Sequence, residues 1–168
     1  MIDFNNLTQH KESNRLEAKK AFGGLPQSIW ETYCAFANTN GGVILLGVEE
    51  SEDGSLSAKG VENPEKMIAD FWNNINNPQK VSINLLSDKR VKIVEVDGCQ
   101  IISIDVPRAE RTDKPIYIGE NPLTGTFRRN GEGDYRCDKE ELKAMLRDQS
   151  ARTQDMLVLD KMDFGVLS

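Results

Sequence analysis

Histidine occurs once in this 168-residue chain, at His10. That scarcity removes most nucleophile–histidine machinery, so any hydrolysis would have to run on carboxylates, lysines or a metal. Cysteine is nearly as scarce. Cys34, Cys99 and Cys137 are isolated and odd in number, without a CxxC pair or a histidine companion, which argues against a disulfide framework or a structural zinc site. Long hydrophobic runs are missing too: a run such as Val43 to Leu46 is far too short to span a bilayer. No basic-then-apolar start reads as a signal peptide, so the expected location is the cytoplasm, with no membrane partner. There are no internal repeats and no low-complexity tract.

What is present is the composition of a globular protein, 38% hydrophobic and 29% charged, with a length that suits one domain around one core. A net charge of −6 and a pI near 4.9 argue against a nucleic-acid footprint over the whole surface. The charge is uneven, however. Basic residues recur at Lys11, Arg15, Lys19 and Lys20, at Lys89, Arg90 and Lys92, and from Arg108 to Arg136, so a local basic patch is open to the fold.

Residues 1–10 read as an N-terminal arm, residues 11–149 as the domain, and residues 150–168 as a tail or the start of a further region. Arg15 to Lys19 alternates as a strand. Pro26 suits the first residue of a helix, whose apolar face carries Ile29, Trp30, Tyr33, Cys34, Phe36 and Ala37. It should stop near Thr39, with Gly41 supplying a left-handed cap. Val43 to Val48 reads as one buried central strand, and Pro64 to Asn77 as a second helix. Val81 to Leu85 alternates like a strand. Val91–Val96 and Cys99–Val106 flank Asp97-Gly98, a strong hairpin signal. Pro115–Gly119 and Thr126–Asn130 read as a further hairpin, and Asp138 with Glu141 as a capping box opening a last helix through Arg147. The expected class is α+β, a mainly antiparallel mixed sheet with helices packed on one side.

Three constellations bear on chemistry. Asn38-Thr39-Asn40-Gly41-Gly42 follows a helix C-terminus and lacks a P-loop lysine, so it is not a triphosphate cradle. It serves either as a tight cap or as a contact for a polynucleotide backbone. Glu12 and Glu17 are five apart and converge only if Glu12 lies in a turn before the strand. Glu49 and Glu50 close the central strand, and clustered carboxylates of this kind suit magnesium or manganese, or else form a solvated acidic strand end paired with Lys19. Arg128-Arg129 ends a strand, as exposed surface or as a phosphate clamp.

Glu12-Ser13-x-x-Leu16-Glu17-x-Lys19, then Ala35-Phe36-Ala37-Asn38-Thr39-x-Gly41-Gly42, then Leu46-Gly47-Val48-Glu49-Glu50, in that order, resembles the Schlafen-type AlbA-like domain. Lys114-Pro115-Ile116-Tyr117 and Phe127-Arg128-Arg129-Asn130-Gly131 extend the likeness, which covers residues 11–147. The resemblance implies a DNA-binding domain of the kind found in bacterial transcriptional regulators, with DNA favoured over RNA, and no cofactor. Lys19, Lys20, Arg128 and Arg129 would be the phosphate contacts, and Asn38 and Asn40 would shape the turn beside them. Its Schlafen branch implies an alternative, a metal-dependent endoribonuclease acting on structured RNA. There Glu12, Glu17 and Glu49 would be catalytic, and Glu12, Glu17, Glu49 and Glu50 would hold Mg2+ or Mn2+. Two departures are plain: Ala18 stands where the family has an aromatic, and the nuclease pairs two such domains where this chain has one. A homodimer would restore the pair.

Overall fold

The computed structural model describes residues 2–150, so the tail expected over 150–168 lies, Ser150 apart, outside the described residues. After a 3-10 turn at Phe4–Gln9 come β1 (Leu16–Lys19), α1 (Ile29–Asn38), β2 (Gly42–Leu46), β3 (Val48–Glu50) and β4 (Leu56–Ala58). These are followed by α2 (Pro64–Ile75), β5 (Val91–Val96), β6 (Cys99–Val106), α3 (Pro122–Gly125), β7 (Phe127–Asn130) and β8 (Gly133–Arg136). A last helix, α4, occupies 139–150 of the described residues. The main sheet has the order β1-β2-β6-β5, with β1 parallel to β2 and the other pairs antiparallel. β3–β4 and β7–β8 are separate two-stranded sheets. The α+β class and the mixed, mainly antiparallel pairing are as the sequence suggests.

The alternation of β2 and β6 divides the interior. Ile44, Leu46, Ile102 and Ile104 face α1 and α2, meeting Tyr33, Phe36, Phe71 and Ile75. Leu45 and Ile101 point to the opposite face, where Leu7 of the N-terminal turn and Val48 and Leu56 of the small hairpin cover them. The two long helices α1 and α2 therefore lie on one side of the sheet. No helix among the described residues is long and apolar enough to cross a membrane.

The structure departs from the sequence reading at four places. α1 starts at Ile29 rather than Pro26, because Pro26–Ser28 form a turn whose Pro26 carbonyl accepts from the Ile29 N–H. The strand expected over Val43–Val48 breaks at Gly47, which sits at φ +88° and gives its carbonyl to the N–H groups of both Lys59 and Gly60. A Cβ there would lie 2.9 Å from the Gly60 carbonyl carbon, so the kink requires glycine. Glu49 and Glu50 consequently belong to β3 and not to the central strand. Val81–Leu85 is irregular: the Tyr33 hydroxyl donates to the Ile83 carbonyl and accepts from the Leu85 N–H, replacing a strand ladder. Pro115–Gly119 touches the next segment only through the Tyr117–Thr126 bridge, and β7 pairs with β8 instead. The capping box is present, with Glu141 N–H donating to Asp138 Oδ1 and Asp138 N–H to Glu141 Oε1.

Candidate functional site

β1 is an edge strand, hydrogen-bonded on one side to β2 and open on the other. A tight turn bridging Ser13 and Leu16 folds the preceding residues back along that open edge. Glu12 thereby reaches the strand, and its Oε2 accepts from the Ala18 N–H at 2.9 Å. The carboxylate fills a backbone donor that would otherwise invite another strand. Burial, a hydrogen bond with Glu17 and the charges of Glu17 and Glu50 outweigh the Ala18 N–H and push the Glu12 carboxyl up to about 8.

Behind this edge lies Arg129, whose side chain is fully buried. Its Nη1 pairs with Glu17 at 2.9 Å and with Asp134 at 2.8 Å. Nε and Nη2 both donate to the Ser13 carbonyl, Nη2 also reaches the Leu16 carbonyl, and the guanidinium lies 4.8 Å from the centre of the Phe36 ring. Burial opposes the charge, but hydrogen bonds to Asp134 and Glu17 more than offset it and hold the guanidinium above its ordinary range. Thr32 of α1 donates to the other Asp134 oxygen. One arginine thus ties β7, β8, α1 and the Ser13–Leu16 turn together. It cannot serve as the phosphate contact expected of it, because its donors are already taken inside the protein.

Asn38 is likewise interior. Its Nδ2 donates to the Ile116 and Phe127 carbonyls and its Oδ1 accepts from the Ile116 N–H, so it pins two segments to the end of α1. Gly41 follows at φ +71°, and a Cβ there would stand 2.7 Å from the Val106 carbonyl oxygen. The Asn38–Gly42 segment is a packed cap, and only Asn40 is exposed. Lys19 reaches the Ser28 hydroxyl at 3.0 Å, Lys20 pairs with Glu49 at 3.2 Å, and Arg128 Nε lies 3.2 Å from Glu141.

The carboxylates sort differently from the expected set. Glu49 turns away from Glu12 to meet Lys20 and, at 3.8 Å, Lys59. Strand alternation sends its neighbour Glu50 the other way. Glu12, Glu50 and Glu132 each place an oxygen within 4.8 Å of the others. Among the described residues none of these three forms an ion pair. Glu132 escaped the sequence reading: it sits in the β7–β8 turn, and its only signal is a carboxylate between Gly131 and Gly133 directly after the arginine strand. An all-oxygen donor set suits a hard divalent cation. Ligand oxygens on opposite sides of one such ion stand about 4–5 Å apart, twice the metal–oxygen distance, so the three residues fit the group. Burial pushes the Cys137 thiol up to about 11 and Cys34 higher still, so neither of these two is a ready thiolate.

The chain resembles solved structures in this arrangement. The solution NMR structure of the N-terminal domain of an ATP-dependent DNA helicase RecG-related protein from Nitrosomonas europaea is 30% identical, with a TM-score of 0.58. The likeness covers 82% of this chain and 95% of that one. The crystal structure of the DIP2311 protein from Corynebacterium diphtheriae, 18% identical with a TM-score of 0.54, covers 81% of this chain and 24% of that one, and shares the fold. No match was found among curated proteins. Residues 12–138 match the family model described as Schlafen, AlbA_2, a span that contains β1, the Arg129 network and all three clustered carboxylates. The chain belongs to the Schlafen AlbA_2 family.

Proposed function

We propose that this domain binds nucleic acid, and that a divalent cation held by Glu12, Glu50 and Glu132 forms part of the contact with the phosphate backbone. The observation that carries the reading is the convergence of three carboxylates from separate segments, none of them in an ion pair with a described residue. Like charges repel, and although Glu12 also accepts from the Ala18 N–H, that bond does not call for Glu50 and Glu132 beside it. A hard cation would neutralise the group and attract phosphate oxygens. Lys19, Lys20, Asn40 and Arg128 lie at or near the surface and act as accessory contacts, whereas Arg129 and Asn38 act by positioning. DNA is the favoured partner, in keeping with the DNA helicase-related relative, and the role is regulatory and cytoplasmic. Fluorescence anisotropy of labelled DNA, with Mg2+ and with chelator, tests the proposal. Binding should weaken on chelation and in Glu50→Gln and Glu132→Gln, and should fall with salt. Affinity indifferent to chelation and salt would contradict it.

The same carboxylates support a second reading, metal-dependent cleavage of structured RNA. Clustered oxygen ligands are what such chemistry needs, and a bound Mg2+ or Mn2+ would supply Lewis-acid activation of water. In this reading Glu12, Glu50 and Glu132 hold the ion, and Glu17, tied to Arg129, braces Glu12. Incubating tRNA with Mn2+ separates the readings: cleavage lost in Glu50→Gln would favour the enzyme, and intact tRNA would leave the binding module.

A further inference from the structure

We infer that an open cleft on the outer face of the main sheet, beside the carboxylate group, is a seat for an unpaired stretch of nucleic acid. The inference rests on the nucleic-acid reading above and names where the strand runs. The cleft has a volume of about 890 Å³ and lies where neither the β3–β4 hairpin nor the N-terminal turn fully covers the sheet. Its floor includes Val43 of β2, and Phe4 of the N-terminal turn forms part of its wall. Lys11, Arg15 and Lys92 line it as cations.

The strand register explains why these residues meet. The Arg15 carbonyl accepts from the Val43 N–H, Val43 pairs with Asp105 of β6, and Lys92 of β5 pairs with Ser103 two residues away on the same face. Lys11, Arg15 and Lys92 are exposed, and none forms an ion pair with a described residue. The one carboxylate in the lining, Asp105, is already matched by Arg90 at 3.1 Å. The cleft is therefore a cationic site on an acidic protein, with an apolar floor and an aromatic ring in its wall.

That combination fits one ligand chemistry. Phosphates meet the cations, while an unstacked base lies against Phe4 and Val43. A duplex keeps its bases stacked and paired, so it cannot offer them to such a floor. The segment 11–15 is the wall shared by cleft and carboxylates: Glu12 turns to the β1 edge, while Lys11 and Arg15 line the cleft. One strand can touch both.

The test is anisotropy of a labelled oligothymidine at several salt concentrations with the whole chain. Variants are Arg15→Ala/Lys92→Ala, Phe4→Ala and a charge-matched control on the helix side, Lys66→Ala/Lys80→Ala. Two lost phosphate contacts should lower the log–log salt slope by about 1.4 in the first variant. Phe4→Ala should weaken binding about tenfold with its slope unchanged, the loss of one stacked base. The control should keep the wild-type slope. An unchanged slope in Arg15→Ala/Lys92→Ala would overturn the inference while leaving the nucleic-acid reading standing, provided wild type binds. Equal losses on a blunt duplex would overturn the unpaired-strand assignment. Failure of wild type to bind any nucleic acid would overturn both.

Discussion

Two acidic groups lie side by side along the open edge of β1, and they are built in opposite ways. Glu17 and Asp134 share a buried arginine, and Arg129 also satisfies two backbone carbonyls. Glu12, Glu50 and Glu132 gather as closely with no cation of their own among the described residues. The first group is charge-balanced and holds four elements together. The second keeps its charge partly in check by raising the proton affinity of Glu12. Balanced charge in an interior marks architecture, and the gathered like charge at the surface is what the proposed cation would neutralise.

The largest effect should come from breaking the balanced group. Arg129→Met leaves the mostly buried Glu17 and Asp134 without their cation and should cost about 3–5 kcal/mol of unfolding free energy in a denaturant titration. A loss below ~1 kcal/mol would mean that the network does not brace the fold. Asn38→Ala strips three hydrogen bonds from buried backbone groups. It should cost roughly 2–4 kcal/mol by the same measurement.

The unbalanced group should respond in the opposite sense. The Glu12 carboxyl titrates near 8 in the folded chain against 4.5 ordinarily. Between those values the folded state binds more protons than the unfolded one, so this group's contribution to stability falls as pH rises through that window. Glu12→Gln keeps an oxygen for the Ala18 N–H, mimics the protonated acid and does not titrate. Thermal melts should match wild type near pH 5 and exceed it at pH 8 to 9. The gain is on the order of 1 kcal/mol, given how much of the group faces solvent. A variant less stable than wild type at pH 9 would refute the claim that burial and neighbouring carboxylates disfavour the Glu12 charge. Smallest of all, Lys20→Ala removes an exposed pair with Glu49 and should change stability by less than ~1 kcal/mol.

Much of the scaffold was legible because local rules and tertiary packing agree there. The Asp97-Gly98 hairpin, the apolar face of α1 and the capping box at Asp138 all form where their patterns place them. The misreadings share a physical cause, long-range contacts that override a local pattern. Tyr33 reaches across to take the backbone of Ile83 and Leu85, and the carbonyl of Gly47 turns to Lys59 and Gly60. The site was half legible for the same reason. The five-residue spacing lets Glu12 and Glu17 converge only through a turn before β1, and that turn is present. The kink at Gly47 that moves Glu49 and Glu50 out of the central strand does not follow from any spacing, nor does the arrival of Glu132 from more than 80 residues away. Arg129 read as surface because nothing in Arg128-Arg129 says which of the two points inward.

Isothermal titration of Mn2+ into the whole chain at pH 7.5 bears most directly on the unbalanced group. The account predicts one saturable site, abolished in Glu50→Gln and in Glu132→Gln but intact in Glu49→Gln, whose carboxylate is already engaged by lysines. Absence of saturable binding in wild type, or equal loss in Glu49→Gln and Glu50→Gln, would contradict it.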